Sequence, residues 1–441
     1  MGMVVKNNMS AISTLNTLNK NSNALSKSLQ KVSSGMKING AADDASGYAI
    51  SERMRVQIRG LDQANSNTQN GSSMMKVAEG AVSSTVEILK TLKEKVINAA
   101  NDTNTDSDRQ TIQKELDQSI DQIDDNANVT YNGKYLVDGS HNSKTTATTT
   151  ALTNESFDTA TTGATALTAL KSRTGELLHI DSTDNVTVSY VKQGQTYTTT
   201  FSVGSNTLSG ILSKQAKNGT TAMTGGLEIK SSDATSVIGK DGSGNTVYTA
   251  DKGNAITLTS KGSGVDNQIS GFTVSITNNK GAINKSANAV LDNFSESIRA
   301  QNASQDNSLV LQVGTKANQA IKVGLTDMRS TALGLKGTDG STLNVSTQKN
   351  ANAAINVLDN AVQKALDQQT TIGSIESRLE YTSSNLTTAS ENVQSSESTI
   401  RDANMAKEMT EYTKNNVLMQ AAQSMLAQAN QSSSSVLSLL Q

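Results

Sequence analysis

The strongest constraint on the fold is a seven-residue ladder of apolar side chains in the C-terminal part of the chain. The ladder runs over six heptads and consists of Leu358, Ala365, Ile372, Leu379, Leu386, Val393 and Ile400. A repeat of seven keeps these side chains on one face of a helix, where they are buried against another helix. The pattern therefore predicts one unbroken helix over residues 351–400.

A second ladder lies in the N-terminal part. Its members are seven residues apart in two rows, Met75, Val82, Leu89 and Val96, and Ala78, Thr85, Leu92 and Ala99. It also predicts a helix that packs against another helix. A further helix is expected to start at the capping-box spacing of residues 107–110, and the turn at residues 131–134 (Tyr-Asn-Gly-Lys) is typical of a tight β-hairpin.

The two ends of the chain carry thinner apolar stripes. The first, with steps mostly of three or four, consists of Val5, Met9, Ile12, Leu15, Leu18, Leu25, Leu29, Val32 and Met36. The second consists of Met405, Met409, Tyr412, Leu418, Ala422, Met425 and Ala429, and ends in the apolar residues 436–440. Stripes of this kind do not stabilise a two-helix unit alone. We therefore expect their apolar faces to be covered by neighbouring molecules.

The middle of the chain has a different character. Residues 140–300 are rich in Thr, Ser and Gly, and period-two patterns at 186–191, 197–203, 256–258 and 272–276 predict strands, with a short helix at 164–170. The predicted fold is α+β and elongated, with long antiparallel coiled-coil helices from both termini, a β-hairpin and a mainly β central insert. The expected divisions are terminal coiled coil at 1–46 and 399–441, helical stem at 47–150 and 301–398, and insert at 151–300.

Composition argues against several functions. Lys and Arg total 38 against 40 Asp and Glu, so no excess positive charge is present for a nucleic acid. The chain has no cysteine, and its two histidines, His141 and His179, are far apart and are expected at the surface. No apolar run approaches the ~18 residues of a membrane span, and no secretory signal is evident. We expect no catalytic residue, metal, cofactor, nucleic acid or membrane partner.

One acidic pair, Asp43-Asp44, is a candidate for general acid/base chemistry or metal binding. No histidine or third ligand is spaced nearby. A role at the start of a helix, with an ion pair to Arg53 or Arg55, is therefore the favoured interpretation.

Motifs at both ends resemble those of bacterial flagellins. They are SSGMKIN at 33–39, ADDASGYAISER at 42–53, AQANQ at 427–431 and VLSLL at 436–440. LQVG at 311–314 and DMRSTALG at 327–334 look like the family's hairpin strand and helix lead-in. The resemblance covers about residues 3–140 and 305–441. The chain departs from it in having serines at 432–435, where flagellins commonly have proline, and Gln441 in place of a terminal arginine.

The resemblance implies a structural subunit that polymerises into the extracellular helical filament of the bacterial flagellum and serves motility. Its partners would be copies of itself, the flagellar cap and hook-junction proteins and an export chaperone, and its export would use the flagellar type III apparatus without a cleaved signal peptide. The expected assembly core is Ile12, Leu15, Leu25, Leu29, Val32, Leu379, Leu386, Val393, Met425, Leu437 and Leu440. The expected chaperone segment contains Met405, Met409, Leu418 and Met425.

The resemblance also implies recognition by the flagellin-sensing Toll-like receptor of animals. That receptor reads an Arg and a Leu one turn apart on the long N-terminal helix, and a Glu on the next helix. Here the Glu is Glu115, but Thr91 and Lys95 occupy the other two positions. Thr91 lacks the guanidinium fork, and Lys95 brings a hydrated charge to an apolar contact. The resemblance therefore implies a weak agonist; the alternative is that the neighbouring Lys90 or Lys93 replaces the missing arginine.

Other functions remain open at this point. One is a hook–filament junction protein of the same family. Another is a flagellin-like protein with a glycan-binding insert, in which Tyr190, Tyr197, Phe201, Tyr248 and Phe272 either stack on sugars or pack in the core. A protease in the insert is disfavoured, because residues 140–300 contain neither His-Glu-x-x-His nor Gly-x-Ser-x-Gly.

Overall fold

The computed structural model describes residues 8–213, 228–230, 236–250 and 253–438. Its helices are α1 Met9–Ser34, α2 Ala45–Ala99, α3 Asp106–Ala127, α4 Leu208–Ser213, α5 Lys285–Leu291, α6 Ser330–Leu333, α7 Gln348–Arg401 and α8 Met405–Ser438. Its strands are β1 Thr130–Tyr131, β2 Lys134–Tyr135, β3 Ala151–Asn154, β4 Asn185–Lys192, β5 Gln195–Ser202, β6 Glu228–Lys230, β7 Val237–Lys240, β8 Thr246–Tyr248, β9 Ile256–Thr259, β10 Ile269–Thr277, β11 Ser295–Ile298, β12 Leu309–Gln312 and β13 Ala320–Val323.

The chain divides into two compact units. The first contains the described residues of Met1–Thr68, Gln312–Gln319 and Tyr381–Gln441, and the second contains those of Gln69–Leu311 and Ala320–Glu380. Long helices from both ends of the chain and a strand-rich central region confirm the α+β class. The domain limits expected from the sequence stay predictions.

In the first unit, α1 runs antiparallel to α8. The side-chain amide of Asn8 donates to the carbonyl of Ala429 at 3.2 Å, and that of Asn21 donates to the carbonyl of Leu418 at 3.1 Å. Gly35 ends α1 with a left-handed φ of 71°, and its N–H donates to a carbonyl of the last turn. Gly35 therefore separates α1 from the segment that leads to α2.

The first turns of α2 and the last turns of α7 also pack together in the first unit. Leu61, Ala64 and Leu386 form their buried apolar cluster. Beside this cluster the hydroxyl of Ser383 donates to the side-chain oxygen of Asn65 at 2.7 Å. The seam is therefore thin in apolar area and is supplemented by side-chain hydrogen bonds.

In the second unit, the apolar ladders are the core of the helical part. The buried members are Met75, Val82, Leu89 and Val96 on α2 and Leu358, Ala365, Ile372 and Leu379 on α7, and none of these has measurable solvent exposure. An ion pair between Lys93 and Asp359 joins the two helices. The prediction of long helices buried on their heptad faces is confirmed.

The N-cap of helix α3 lies two residues before the predicted cap at Ser107. The N-cap is Thr105, whose N–H donates to the carboxylate of Asp108 at 2.9 Å and whose hydroxyl donates to it at 2.7 Å. These bonds from Thr105 lower the pKa of Asp108. An ionised carboxylate is a stronger acceptor than the amide of Gln110, which explains why this capping box forms and the predicted one does not.

The described residues of the insert form three antiparallel sheets. Their strand orders are β10-β4-β5, β11-β3-β9-β6 and β7-β8. The turn between β4 and β5 is formed by Gln193 and Gly194, whose φ angles of 51° and 73° suit a two-residue hairpin. The predicted helix at 164–170 is wrong. Only a 3-10 turn, Leu167–Ala169, is present there, because the flanking Ala166 and Leu170 have extended backbones.

The insert packs directly on α7 within the second unit. A Cβ atom added to Gly271 of β10 would lie 2.7 Å from Cγ2 of Val357 and 3.0 Å from its backbone nitrogen. Next to this contact the side-chain amide of Asn360 donates to the carbonyl of Ser270 at 2.8 Å. A glycine is thus required where the strand meets the helix.

Candidate assembly interface

Helix α1 leaves much of its apolar stripe exposed. Of the residues expected in the assembly core, Ile12, Leu15 and Leu29 are 45–51% exposed, whereas Leu25 and Val32 are half-buried. Contiguous exposed apolar side chains on a soluble subunit mark an interaction surface. This face of α1 is therefore a candidate contact for another chain.

Helix α8 has the same property. Met405, Met409, Leu418 and Met425, the four residues expected in the chaperone segment, are 42–65% exposed, and Val417 is 58% exposed. Leu440 lies outside the described residues, as does the side chain of Leu437. We define the terminal apolar surface as Ile12, Leu15, Leu29, Met405, Met409, Val417, Leu418 and Met425.

The contact between α1 and α8 buries little. Ser28 is the buried side chain of α1, and Ala422 is that of α8 among the side chains that the structure describes. The side-chain amide of Asn415 donates to the hydroxyl of Ser28 at 2.9 Å. Small and polar groups at this contact provide little hydrophobic stabilisation.

Three other residues of the expected assembly core pack inside the folded subunit. Leu379 is fully buried in the second unit, and Leu386 is 9% exposed in the first. Val393 packs against the cluster that contains Leu386. These residues hold the subunit together, and a part for them in contacts between subunits stays a prediction.

The structure brings together two of the three residues expected to face the receptor. Lys95 and Glu115 form an ion pair at 3.0 Å, with side chains 41% and 51% exposed. Thr91 is exposed, and its hydroxyl donates to the carbonyl of Glu87 within its own helix at 3.0 Å. The charge of Lys95 therefore has a carboxylate beside it.

The acidic pair Asp43-Asp44 was expected to cap α2 and to form an ion pair, and the structure shows the capping. One carboxylate oxygen of Asp44 accepts hydrogen bonds from the backbone N–H groups of Ser46 and Gly47, each at 3.0 Å. The expected ion pair with Arg53 or Arg55 is wrong, because Arg55 pairs with Glu52 at 3.1 Å. That pair is one helical turn apart on α2, which makes it sterically easy to form.

Two buried arginines were missed by sequence reasoning. Arg109 is 6% exposed, and its guanidinium donates to the carbonyls of Ala99 and Asn101 at 2.9 and 3.0 Å, which closes the C-terminal end of α2. Arg401 is also 6% exposed and contacts Glu52. No sequence signal singled out Arg401, because Glu391 and Glu397 are charged residues in the same stretch of α7 and its partner Glu52 is distant along the chain.

The other candidates from the sequence are placed as follows. His179 is exposed, and Nδ1 of His141, which is half-buried, lies 3.3 Å from the carbonyl of Asn307. Within the described ranges no group of three or more acidic or histidine side chains is arranged to hold a metal ion. In the same part of the chain no helix has both the length and the apolar character needed to cross a membrane.

The aromatic side chains of the insert are mostly in its core. Phe272 is 1% exposed and Tyr190 is 6% exposed. Tyr197 stacks on Tyr190 with ring centroids 5.2 Å apart, and Phe201 packs against the same core. Tyr248 is 53% exposed. Core packing therefore explains four of the five aromatic residues considered for sugar stacking.

Comparison with known proteins agrees with this arrangement. Residues 5–142 match the family model of the bacterial flagellin N-terminal helical region, and residues 355–440 match that of the C-terminal helical region. A flagellin of Clostridium tyrobutyricum is 34% identical over 439 residues, which cover 97% of this chain and 99% of that protein. A flagellin of Bacillus subtilis (strain 168) is 29% identical over 458 residues, which cover 99% of this chain and all of that protein.

Among solved structures, flagellar hook associated protein-3 from Legionella pneumophila aligns with 78% of this chain and 97% of its own, with 15% identity and a TM-score of 0.33. The sequence matches at both ends define a structural protein of the bacterial flagellum. The chain belongs to the bacterial flagellin family, and it is a structural subunit of the extracellular flagellar filament. The hook–filament junction alternative has less support.

Proposed function

We propose that the terminal apolar surface forms the contacts by which this subunit polymerises. The observation that carries the proposal is the contrast between the two sides of the α1–α8 pair. Ser28 and Ala422 are buried where the helices meet, whereas Ile12 and Met425 remain 47% and 65% exposed. Burial of apolar area contributes about 25 cal/mol per Å². Contacts with neighbouring subunits therefore supply stability that the pair alone lacks.

The same surface accounts for the other proposed partners. Before assembly, an export chaperone would cover Met405, Met409, Leu418 and Met425, whose flexible side chains suit an adaptable contact. Cap and hook-junction proteins would meet the subunit during and after export, and export would use the flagellar type III apparatus without a cleaved signal. We propose no catalytic activity for the chain.

The assembly proposal is tested by an Ile12→Asp variant. The change puts a charge on the terminal apolar surface, where its desolvation opposes burial by another subunit. The matched control is Ser13→Asp, which adds the same charge at the neighbouring exposed residue. Sedimentation and electron microscopy should show filaments from the wild type and the control, and soluble subunits from Ile12→Asp. Filaments of normal length and yield from Ile12→Asp would refute the proposal.

We further propose that the subunit is a weak agonist of the flagellin-sensing Toll-like receptor. The pairing of Lys95 with Glu115 at 3.0 Å supports this, because the expected glutamate contact is already engaged by a neighbouring cation. A receptor must compete with that ion pair and must also accept the ammonium group.

A further inference from the structure

In the first unit, α1 is connected to α2, and α7 to α8, by two short segments that are joined to each other by hydrogen bonds. The N–H of Lys37 donates to the carbonyl of Arg401 at 2.8 Å, and the N–H of Ala403 donates to the carbonyl of Gly35 at 2.9 Å. These bonds form a short antiparallel bridge between the segment that follows α1 and the segment that separates α7 from α8. The backbone thus fixes where the two helices break.

The side chain of Arg401 connects that bridge to α2. It is buried, and Nη1 donates to Oε1 of Glu52 at 2.8 Å. Its Nε lies 3.0 Å from Sδ of Met36, on the segment after α1. The guanidinium carbon is 5.5 Å from the centre of the Tyr48 ring, in the first turn of α2. The side chain of Arg401 therefore contacts both α2 and the segment that follows α1.

The ion pair explains why a charged group is tolerated at this place. A buried guanidinium is costly unless a carboxylate and other acceptors face it. Glu52 supplies the carboxylate, and its hydrogen bond with Arg401 is the largest cause of a lowered pKa at Glu52. The planar fork of arginine reaches two acceptors in fixed directions, which the single ammonium of lysine does not reproduce.

We propose that Arg401 is the positioning residue that sets the direction in which the α1–α8 pair leaves the first turns of α2. The inference rests on the proposed assembly role of α1 and α8, because their direction matters for polymerisation only if they form contacts between subunits. Arg401 does not itself form those contacts. It acts through Glu52 and Met36, which it holds at fixed places.

The chain offers a matched control for this role. Arg55 also donates to Glu52, at 3.1 Å, but its side chain is 42% exposed and the pair lies within α2. Arg55→Gln removes one arginine partner of Glu52 and leaves the junction intact. Arg401→Gln removes the other partner together with the contact to Met36.

The direction of α1 is measured by the distance between two spin labels. Because the chain contains no cysteine, Thr17→Cys on α1 and Gln57→Cys on α2 give two specific labelling sites, both exposed. Labelled full-length subunits are polymerised with a tenfold excess of unlabelled wild type, so that each label pair is isolated in a filament. Pulsed dipolar spectroscopy then gives the distance distribution.

We expect one narrow distance for the wild-type background and for Arg55→Gln, and a shifted or broadened distribution for Arg401→Gln. The Glu52→Gln, Arg401→Gln double variant also removes the carboxylate that has lost its Arg401 partner, and it should still show the altered distance, which separates positioning from loss of charge balance. Unaltered distances in both Arg401 variants would overturn the inference. Failure of both to enter wild-type filaments would also overturn it, since altered direction predicts distorted incorporation. If wild-type subunits form no filaments, the assembly proposal fails instead.

Discussion

Lys95 and Glu115 illustrate how one ion pair at the surface can decide recognition. Each side chain is roughly half exposed, so the pair contributes little to folding. In the proposed weak recognition by the receptor, the pair matters because it would present a cation and its carboxylate where the resemblance implies an apolar side chain and a free acid.

The proposed weak recognition predicts that restoring the two family residues strengthens the response of the receptor. Thr91→Arg with Lys95→Leu should increase potency in a reporter-cell dose–response, because it restores the guanidinium fork and frees Glu115. A recovered arginine contact of ~1–2 kcal/mol corresponds to about five- to thirtyfold in affinity. Lys90→Leu, which breaks a neighbouring ion pair with Glu87, is the control and should leave potency unchanged. No gain from the double change would contradict the prediction.

We expect a buried lysine to make the stability of the subunit depend on pH. Lys364 on α7 donates from Nζ to the carbonyl of Ala332 at 2.7 Å, and burial lowers its pKa to about 8. Unfolded lysine keeps its proton to about pH 10.4. Between these values the unfolded state binds more protons, so the free energy of unfolding should rise with pH.

Urea denaturation monitored by circular dichroism at about pH 7.5 and about pH 10 measures this effect. The wild type should gain stability at the higher pH relative to Lys364→Met, which lacks the titrating group. Lys114→Met, at an exposed position, is the control and should follow the wild type. Parallel pH profiles for the wild type and Lys364→Met would show that Lys364 does not cause the dependence.

At the scale of elements, the heptad face of α7 is the feature most sensitive to substitution. Leu379→Asp places a carboxylate where the side chain has no solvent exposure and should cost at least about 3 kcal/mol. Leu386→Asp, at 9% exposure, should cost less. Both should reduce helical circular dichroism and filament yield. Tyr381→Asp, at a site that is 72% exposed, adds the same charge and should keep the helical signal. Equal signals from all three variants would show that the ladder is not a buried seam.

Elements with a long regular period were the most predictable part of the fold. The ladder from Leu358 to Ile400 predicted α7 to within three residues at either end, because each heptad repeats the same evidence. Helix caps were less predictable, since Thr105 and Ser107 both begin a capping-box spacing and only the strength of the acceptor decides. Sequence could not indicate Arg401 or Gly271, whose roles depend on partners distant along the chain.

At the scale of the whole molecule, we expect α1 and α8 to be less stable than the rest of the subunit, because they bury few side chains against each other. These helices should open and be cleaved first in the unassembled subunit, because segments with few buried apolar contacts have the lowest local stability. Limited proteolysis should remove them and leave a fragment that contains α2 to α7. In filaments the same sites should be protected. If α1 and α8 resist protease in the unassembled subunit, both this prediction and the assembly proposal are contradicted.

The close approach of Gly271 to Val357 also bears on how such genes can exchange segments. A strand from another flagellin that carries any larger residue at position 271 would bring its Cβ to 2.7 Å from a valine methyl of α7. Recombination that replaces β10 without the facing turn of α7 therefore creates a clash, whereas replacement of both together keeps the fit. Where the incoming strand lacks glycine at this position, we expect hybrid genes that survive selection to have their downstream crossover beyond Asn360.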